Sequence, residues 1–423
     1  MKKNFTFYLF LLITPVIAQQ NIWNETKKQT QEISDLIERN STPKSFKMFK
    51  LNDAILNQSL NTLRNRGVSS TQIISIPNQD GKLIQFKVKE ASVLSPELQS
   101  KFPDIKSYRG ISLDGQSTVR FSYSPYHGLS AVIKSEGNSK TYIDAYTKDL
   151  KTYITYTKKN VDNTLQFICN TNTLEIESQA QDIENQLLTN RPATITDGML
   201  RTYRLALSTT VEYSAFHINR AGISTSTLEE KKAVVLSALN VAMTRVNEVY
   251  ENELSITMQL VPNNDQIIFI DSDNFTNNSG SALLGENQTV VDEVIGTDNY
   301  DIGHVFSTGG GGIATLRSPC SPRKARGVTG LSSPINDPFY IDYVAHEMGH
   351  QFGANHTFHS TRGSCGGGNK NASTSIEPGS GSTIMAMPEF VVLKTYKIIV
   401  MLTLVRLALE KLTRLCVREE HVL

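Results

Sequence analysis

No run of basic residues and no interleaving of arginine with aromatic rings occurs in this 423-residue chain, where 42 Lys+Arg against 41 Asp+Glu leave a formal net charge of +1. A polyanion is held by clustered cations, so nucleic acid is excluded as a partner. The N-terminal apolar run, residues 5–17, is broken by Thr6, Thr14 and Pro15. It falls short of the roughly 20 residues that cross a bilayer, so no stable membrane anchor is expected. No internal repeat is visible. Cysteine is scarce, with only Cys169, Cys320, Cys365 and Cys416, and four thiols allow three pairings that sequence alone does not choose between.

What is present begins with Met1-Lys2-Lys3, the short apolar run and Val16-Ile17-Ala18. A charged start, a short apolar stretch and a small residue at its end describe a signal peptide, residues 1–18, cleaved after Ala18. The product is expected to be secreted, and in an oxidising compartment the cysteines suit disulfides better than redox catalysis. The length predicts at least two domains.

Residues 21–64 are polar and mostly helical in pattern. Short alternating strands follow at 73–76, 83–88, 119–123, 129–133 and 142–146, with Asp80-Gly81 as a hairpin signal. This is a small, mainly β domain, residues 19–169, followed by a polar linker at 170–197. From residue 198 the pattern turns to mixed α/β. A strand is predicted at 200–207 and a long helix at 227–252, opened by a capping box of Ser226 and Glu229. A strand at 254–261, a short helix at 290–295 and strands at 302–306 and 313–316 around Gly309 to Gly312 complete it.

The chemistry lies in His346-Glu347-Met348-Gly349-His350-Gln351-Phe352-Gly353-Ala354-Asn355-His356. Histidines at i and i+4 stack on one helical face and can share one zinc at about 2.1 Å. Gly353 stops the helix in a left-handed conformation, and the reversed chain brings in His356 as third ligand. Glu347 is turned about 100° from His346, so it reaches water at the metal as general base without becoming a ligand. His304, on a strand, and His359, three residues past the last histidine, are set aside as ligands. Cys169 could cap the zinc as a thiolate that keeps a precursor latent, but a disulfide or buried thiol is the preferred reading.

These residues resemble the metzincin metallopeptidases, in the reprolysin-like, adamalysin-type form common in secreted bacterial proteins. The segments 300–306, 309–312, 325–330 and Ser382-Thr383-Ile384-Met385-Ala386 share the resemblance, and the β region is a looser match to the family's pro-domain. The resemblance implies an α/β catalytic domain, residues 198–386, with a mostly parallel five-stranded sheet and an active-site helix. Its last antiparallel strand, at 313–316, would bind a protein or peptide substrate as an extended strand. Met385 would be the Met-turn residue, a hydrophobic base beneath the histidines. The expected product is a monomeric zinc endopeptidase made as a zymogen. The alternative is an inactive binding or adhesion protein on the same fold, which an intact Glu347 argues against.

After Ala386 the composition changes abruptly. Residues 391–423 hold no Gly, Asn, Ser, Asp or Pro. Read one base earlier, the codons of 387–391 can spell Tyr-Ala-Gly-Ile-Cys and those of 395–404 Asn-Val-Gln-Asn-Asn-Ser-Asp-Ala-Tyr-Phe. Both strings resemble what the family carries after its Met-turn, so residues 387–423 are an atypical tail and a frameshift near the Ala386 codon is predicted.

Overall fold

A computed structural model describes residues 21–27, 33–40, 42–66, 70–158, 169–171, 198–366, 368–387 and 418–421. The expected signal peptide, nearly all of the linker, Cys416 and most of the tail lie outside the described residues.

The alternating stretches build one antiparallel sheet of nine strands: β1 (Trp23–Thr26), β2 (Lys47–Leu51), β3 (Gln72–Pro77), β4 (Leu83–Glu90), β5 (Lys106–Ser112), β6 (Ser117–Ser124), β7 (Gly128–Ser135), β8 (Thr141–Ala145) and β9 (Thr152–Thr157), in the order β1-β2-β9-β8-β7-β6-β5-β4-β3. Strands β3 to β9 form a meander in which tight turns join most neighbours, as at Asp80-Gly81, where Gly81 has φ +86°, while residues 91–105 join β4 to β5. One face is apolar. Phe86, Val88, Phe121 and Tyr153 bury there against Leu56, Leu60 and Leu63 of α1 (Asp53–Arg66). The other face carries Arg120, Ser122, Ser124 and Ser130, which are buried although polar. A short helix, α2 (Pro96–Lys101), is capped by Ser95, whose hydroxyl accepts from Leu98 N.

The second sheet contains β10 (Met199–Thr209), β11 (Ile256–Leu260), β12 (Ile302–Ser307), β13 (Gly312–Ala314), β14 (Gly327–Gly330) and β15 (Arg418–His421). Strand β10 lies parallel to β11 and β12, and β12 parallel to β14. Strand β13 runs antiparallel to β14, and β15 antiparallel to β10. Around it pack α3 (Val211–Ala221), α4 (Leu228–Leu254), α5 (Gly280–Val294) and α6. Helix α6 runs as an α-helical turn (Asn336–Phe339), a π-helical stretch (Tyr340–Ala345) and a last α-helical piece (His346–Gln351).

The fold expectation is therefore corrected. Its centre was to be a mostly parallel five-stranded sheet behind a small β domain. The larger sheet is instead nine-stranded and wholly antiparallel, and the second is mixed. Locally, β1 and β2 occupy part of the stretch that read as helical, because Trp23, Phe49 and Leu51 bury on the sheet while their neighbours are polar. Helix α5 starts ten residues before its predicted position of 290–295, opened by Ser279, whose hydroxyl accepts from Ala282 N. The box before α4 is Thr227 with Glu230, one residue along from the expected pair.

Helix α4 joins the two sheets. Every residue from Ala233 to Tyr250 is buried, which a helix achieves only with a partner on each side. Val235, Leu239, Ala242 and Val246 belong to the core of the second sheet. Toward the nine-stranded sheet the contacts are ionic and polar: Arg245 to Asp144 at 2.7 Å, Arg120 to Glu251 at 3.2 Å, Lys140 to Glu248 at 2.5 Å and Lys134 to Glu253 at 3.3 Å. The edge strand β11 is paired as well, since Leu260 N donates to Val93 O and Ser95 N to Leu260 O. Among the described residues no helix is long and apolar enough to cross a membrane.

Candidate metal centre

His346 and His350 project from the last α-helical piece of α6, one turn apart, and both are fully buried. Gly353 follows with φ +94°, a conformation that disfavours any residue with a Cβ. The chain reverses there and brings His356 back. The three Nε2 atoms lie 3.2 Å (His346 to His356), 3.0 Å (His346 to His350) and 3.1 Å (His350 to His356) apart.

The protons on these rings are settled by the other nitrogens. His346 Nδ1 lies 2.6 Å from Ile384 O, His350 Nδ1 2.7 Å from Ala354 O, and His356 Nδ1 2.6 Å from Asn369 O. A carbonyl only accepts, so each Nδ1 carries the hydrogen and each Nε2 presents a lone pair. Burial keeps the rings neutral, holding His346 at about 3 and His356 at about 4, and His350 well below its usual value. Three lone pairs facing one another at van der Waals distance repel. A cation between them removes the repulsion, and a tetrahedral ion with nitrogens at about 2.05 Å spaces them about 3.3 Å apart. The donor set fits a metal ion.

Cys169 completes the cluster. Its Sγ is 3.6 Å from His350 Nε2, and one ligand atom from each of Cys169, His346, His350 and His356 falls within 4.8 Å of the others. Cys169 and Cys365 are buried and form no disulfide, while Cys320 is disulfide-bonded. The disulfide expectation thus fails for two of the three described cysteines, and Cys169 turns toward the histidines. Burial, together with the Glu347 carboxylate, pushes its thiol well up.

The segment bearing Cys169 lies along β13. Cys169 pairs with Gly312 as a parallel bridge, Asn170 N donates to Gly312 O at 2.8 Å, and Ala314 N donates to Thr171 Oγ1 at 3.0 Å. Thr171 Oγ1 in turn donates to Glu347 Oε2 at 3.4 Å, while Glu347 Oε1 is buried without a hydrogen-bond partner. Burial raises the Glu347 carboxyl to about 8, against the hydrogen bonds from Cys169 and Thr171. Thr171 was not singled out from sequence, since nothing in a Cys-Asn-Thr string announces a contact 176 residues away.

Met385 is buried close beneath Gly349, where an added Cβ would meet its sulfur at 2.6 Å. The two histidines set aside stay apart from the cluster. His304 binds Gln351 and Thr329, and the Nδ1 of His359 lies 3.0 Å from Ser375 Oγ at an exposed site.

Residues 236–357, from inside α4 to just past His356, match the family model described as Metallo-peptidase family M12B Reprolysin-like. This segment is similar to the reprolysin-like family. No curated protein matches it. The buried histidine cluster lies within and at the end of the matched segment, which supports a metallopeptidase site at the level of the family.

Proposed function

We propose that this chain is the latent precursor of a secreted zinc endopeptidase, in which His346, His350 and His356 hold zinc and Glu347 is the general base. The observation that carries this reading is the convergence of three unprotonated Nε2 atoms beside a buried carboxylate. Zinc, when bound, polarises a peptide carbonyl and makes water acidic near neutral pH. Glu347 accepts the proton of the attacking water and returns it to the departing amine nitrogen. Its raised pKa reflects burial, and a nearby dication would draw it back toward the ionised form.

Strand β13 offers a free edge to an extended peptide once residues 169–171 leave it. In the precursor that edge is taken, Cys169 would be a further ligand beside the three histidines, and Thr171 occupies the general base. The nine-stranded unit is then the pro-domain, with Met385 as the hydrophobic floor of the site. Cleavage in 172–197 releases the segment, and the active product works as a monomer outside the cell.

Zinc content by mass spectrometry and casein digestion, before and after cutting a protease site placed in 172–197, test the proposal. Zinc in both forms, cleavage only after the cut, and none in Glu347→Gln are expected. A zinc-loaded, cut chain that degrades no unfolded protein overturns it.

A further inference from the structure

A second buried polar cluster ties the end of α6 to the sheet. His304 on β12 is fully buried, with Nδ1 2.8 Å from Gln351 Oε1 and Nε2 2.8 Å from Thr329 Oγ1 on β14. Gln351 Nε2 donates to Gly303 O at 2.9 Å and to Ser318 Oγ at 3.3 Å. The Gly303 carbonyl only accepts, so the amide faces it with nitrogen and turns Oε1 to the ring. His304 Nδ1 therefore carries the hydrogen and donates to Gln351, and Nε2 accepts from the Thr329 hydroxyl. Burial keeps this ring neutral, with its pKa lowered to about 4.

Each side-chain nitrogen and oxygen of His304 and Gln351 has a partner, and a satisfied buried network is rigid. The backbone adds two ties: Arg317 N donates to His350 O at 3.3 Å and Ser318 N to Gln351 O at 2.9 Å. Gly327 of β14 leaves room for the pair, because a Cβ there would fall on both Gln351 Oε1 and His304 Nδ1. Gln351 directly follows His350, so any shift at this end of the helix moves the central imidazole first. Metal centres tolerate displacements of only about 0.2 Å.

We propose that His304 is a positioning residue: through Gln351 it fixes α6 against β12 and β14 and so holds His350 at the metal centre. This rests on the zinc reading of the site. The bond to Gln351 leaves from Nδ1, a position an Asn amide can reproduce, whereas a Gln amide reaches only the Nε2 position toward Thr329. The two conservative replacements therefore separate the two hydrogen bonds.

The experiment follows zinc release from the full chain into excess chelator for wild type, His304→Ala, His304→Asn, His304→Gln and Thr329→Val, at a temperature where thermal scans show each variant folded. Release about tenfold faster is expected for the Ala and Gln variants, the low end of what support of a metal ligand is worth. The Asn variant should stay near wild type and Thr329→Val between them. After cutting in 172–197, His304→Ala should lower kcat with KM little changed. A wild type that takes up no zinc overturns the zinc reading itself. A zinc-loaded wild type whose His304→Ala variant releases the ion no faster, or a Gln variant indistinguishable from wild type, overturns the positioning role alone. Should His304→Ala fail to fold, the contrast between Asn and Gln carries the test.

Discussion

At the residue scale, mutation separates the roles proposed for the histidines and for the glutamate. Once the chain is cut in 172–197 and Cys169 is gone, His350→Ala leaves two ligands, too few to keep a zinc ion against a chelator. We expect metal and activity to vanish together, as read by elemental analysis and peptide cleavage. Glu347→Gln keeps the shape and the three imidazoles, so zinc should remain while turnover falls by a factor of about 100 or more. Equal zinc loss in both variants would show that the ligands are wrongly assigned. The i, i+4 pair, Glu347 and His356 were legible in the sequence because their spacing is imposed by one helix and its stop. Thr171 was not, since its contact with Glu347 depends on how a distant segment crosses β13.

At the scale of elements, the end of α6 and the start of α4 make opposite demands. Gly353 must hold φ +94°, so Gly353→Val, β-branched where φ is positive, is expected to displace His356 and lose stoichiometric zinc. Full zinc occupancy in that variant would count against the helix stop as the device that places the third histidine. Thr227 needs no unusual backbone. Its hydroxyl accepts from Glu230 N at 3.3 Å, and Glu230 Oε2 accepts from Thr227 N at 3.0 Å. Thr227→Ala should therefore cost about 1 kcal/mol in urea unfolding and leave zinc untouched. Strand positions were readable where apolar and polar residues alternate, as in β3, β4 and β6. They were unreadable in β1 and β2, which are short and lie among polar residues that mimic a helical face.

At the scale of the whole molecule, the two units meet through buried charge. Burial pushes the Asp144 carboxyl up, but Arg245 and Arg39, with hydrogen bonds from Tyr156 and Ser130, hold it at about 2. A depressed carboxyl stabilises the fold above its unfolded value near 3.8, and this contribution is lost as pH falls toward 2. The shift is worth about 2 kcal/mol. His127 and His217 act at milder acidity. Burial holds His127 at about 4 and His217 well below its usual value, so their stabilising neutral state is complete above about 6.5 and lost as pH falls below it. Two acid phases are thus expected in urea midpoints, one below pH 6.5 and one below pH 4. His217→Phe, which removes a ring with no hydrogen-bond partner, should make the first phase shallower, the remainder coming from His127, His304 and the three clustered histidines. Asp144→Asn should remove the second and cost about 3 kcal/mol at pH 7, since Arg39 and Arg245 stay buried without their shared partner and Arg245 keeps only Asp337, at 4.0 Å. A single acid phase unaffected by either change would dismiss this account.

The tail supplies a prediction of another kind. Resequencing the locus should reveal a frame change near the Ala386 codon. A clean read continuing into residues 387–423, with early stop codons in the alternate frame, would end that idea.

By itself the sequence determined the histidine string, the glycine that ends its helix and the meander rhythm. Each of these is written in local spacing or in composition, which no distant contact alters. The tertiary structure alone decided that the antiparallel sheet has nine strands and that the second sheet is mixed, because strand pairing depends on partners far apart in the chain. It also decided that Cys169 faces His350 rather than a second cysteine. A thiol carries no sign of its partner in its neighbours, and only the path of the segment along β13 brings it to the cluster.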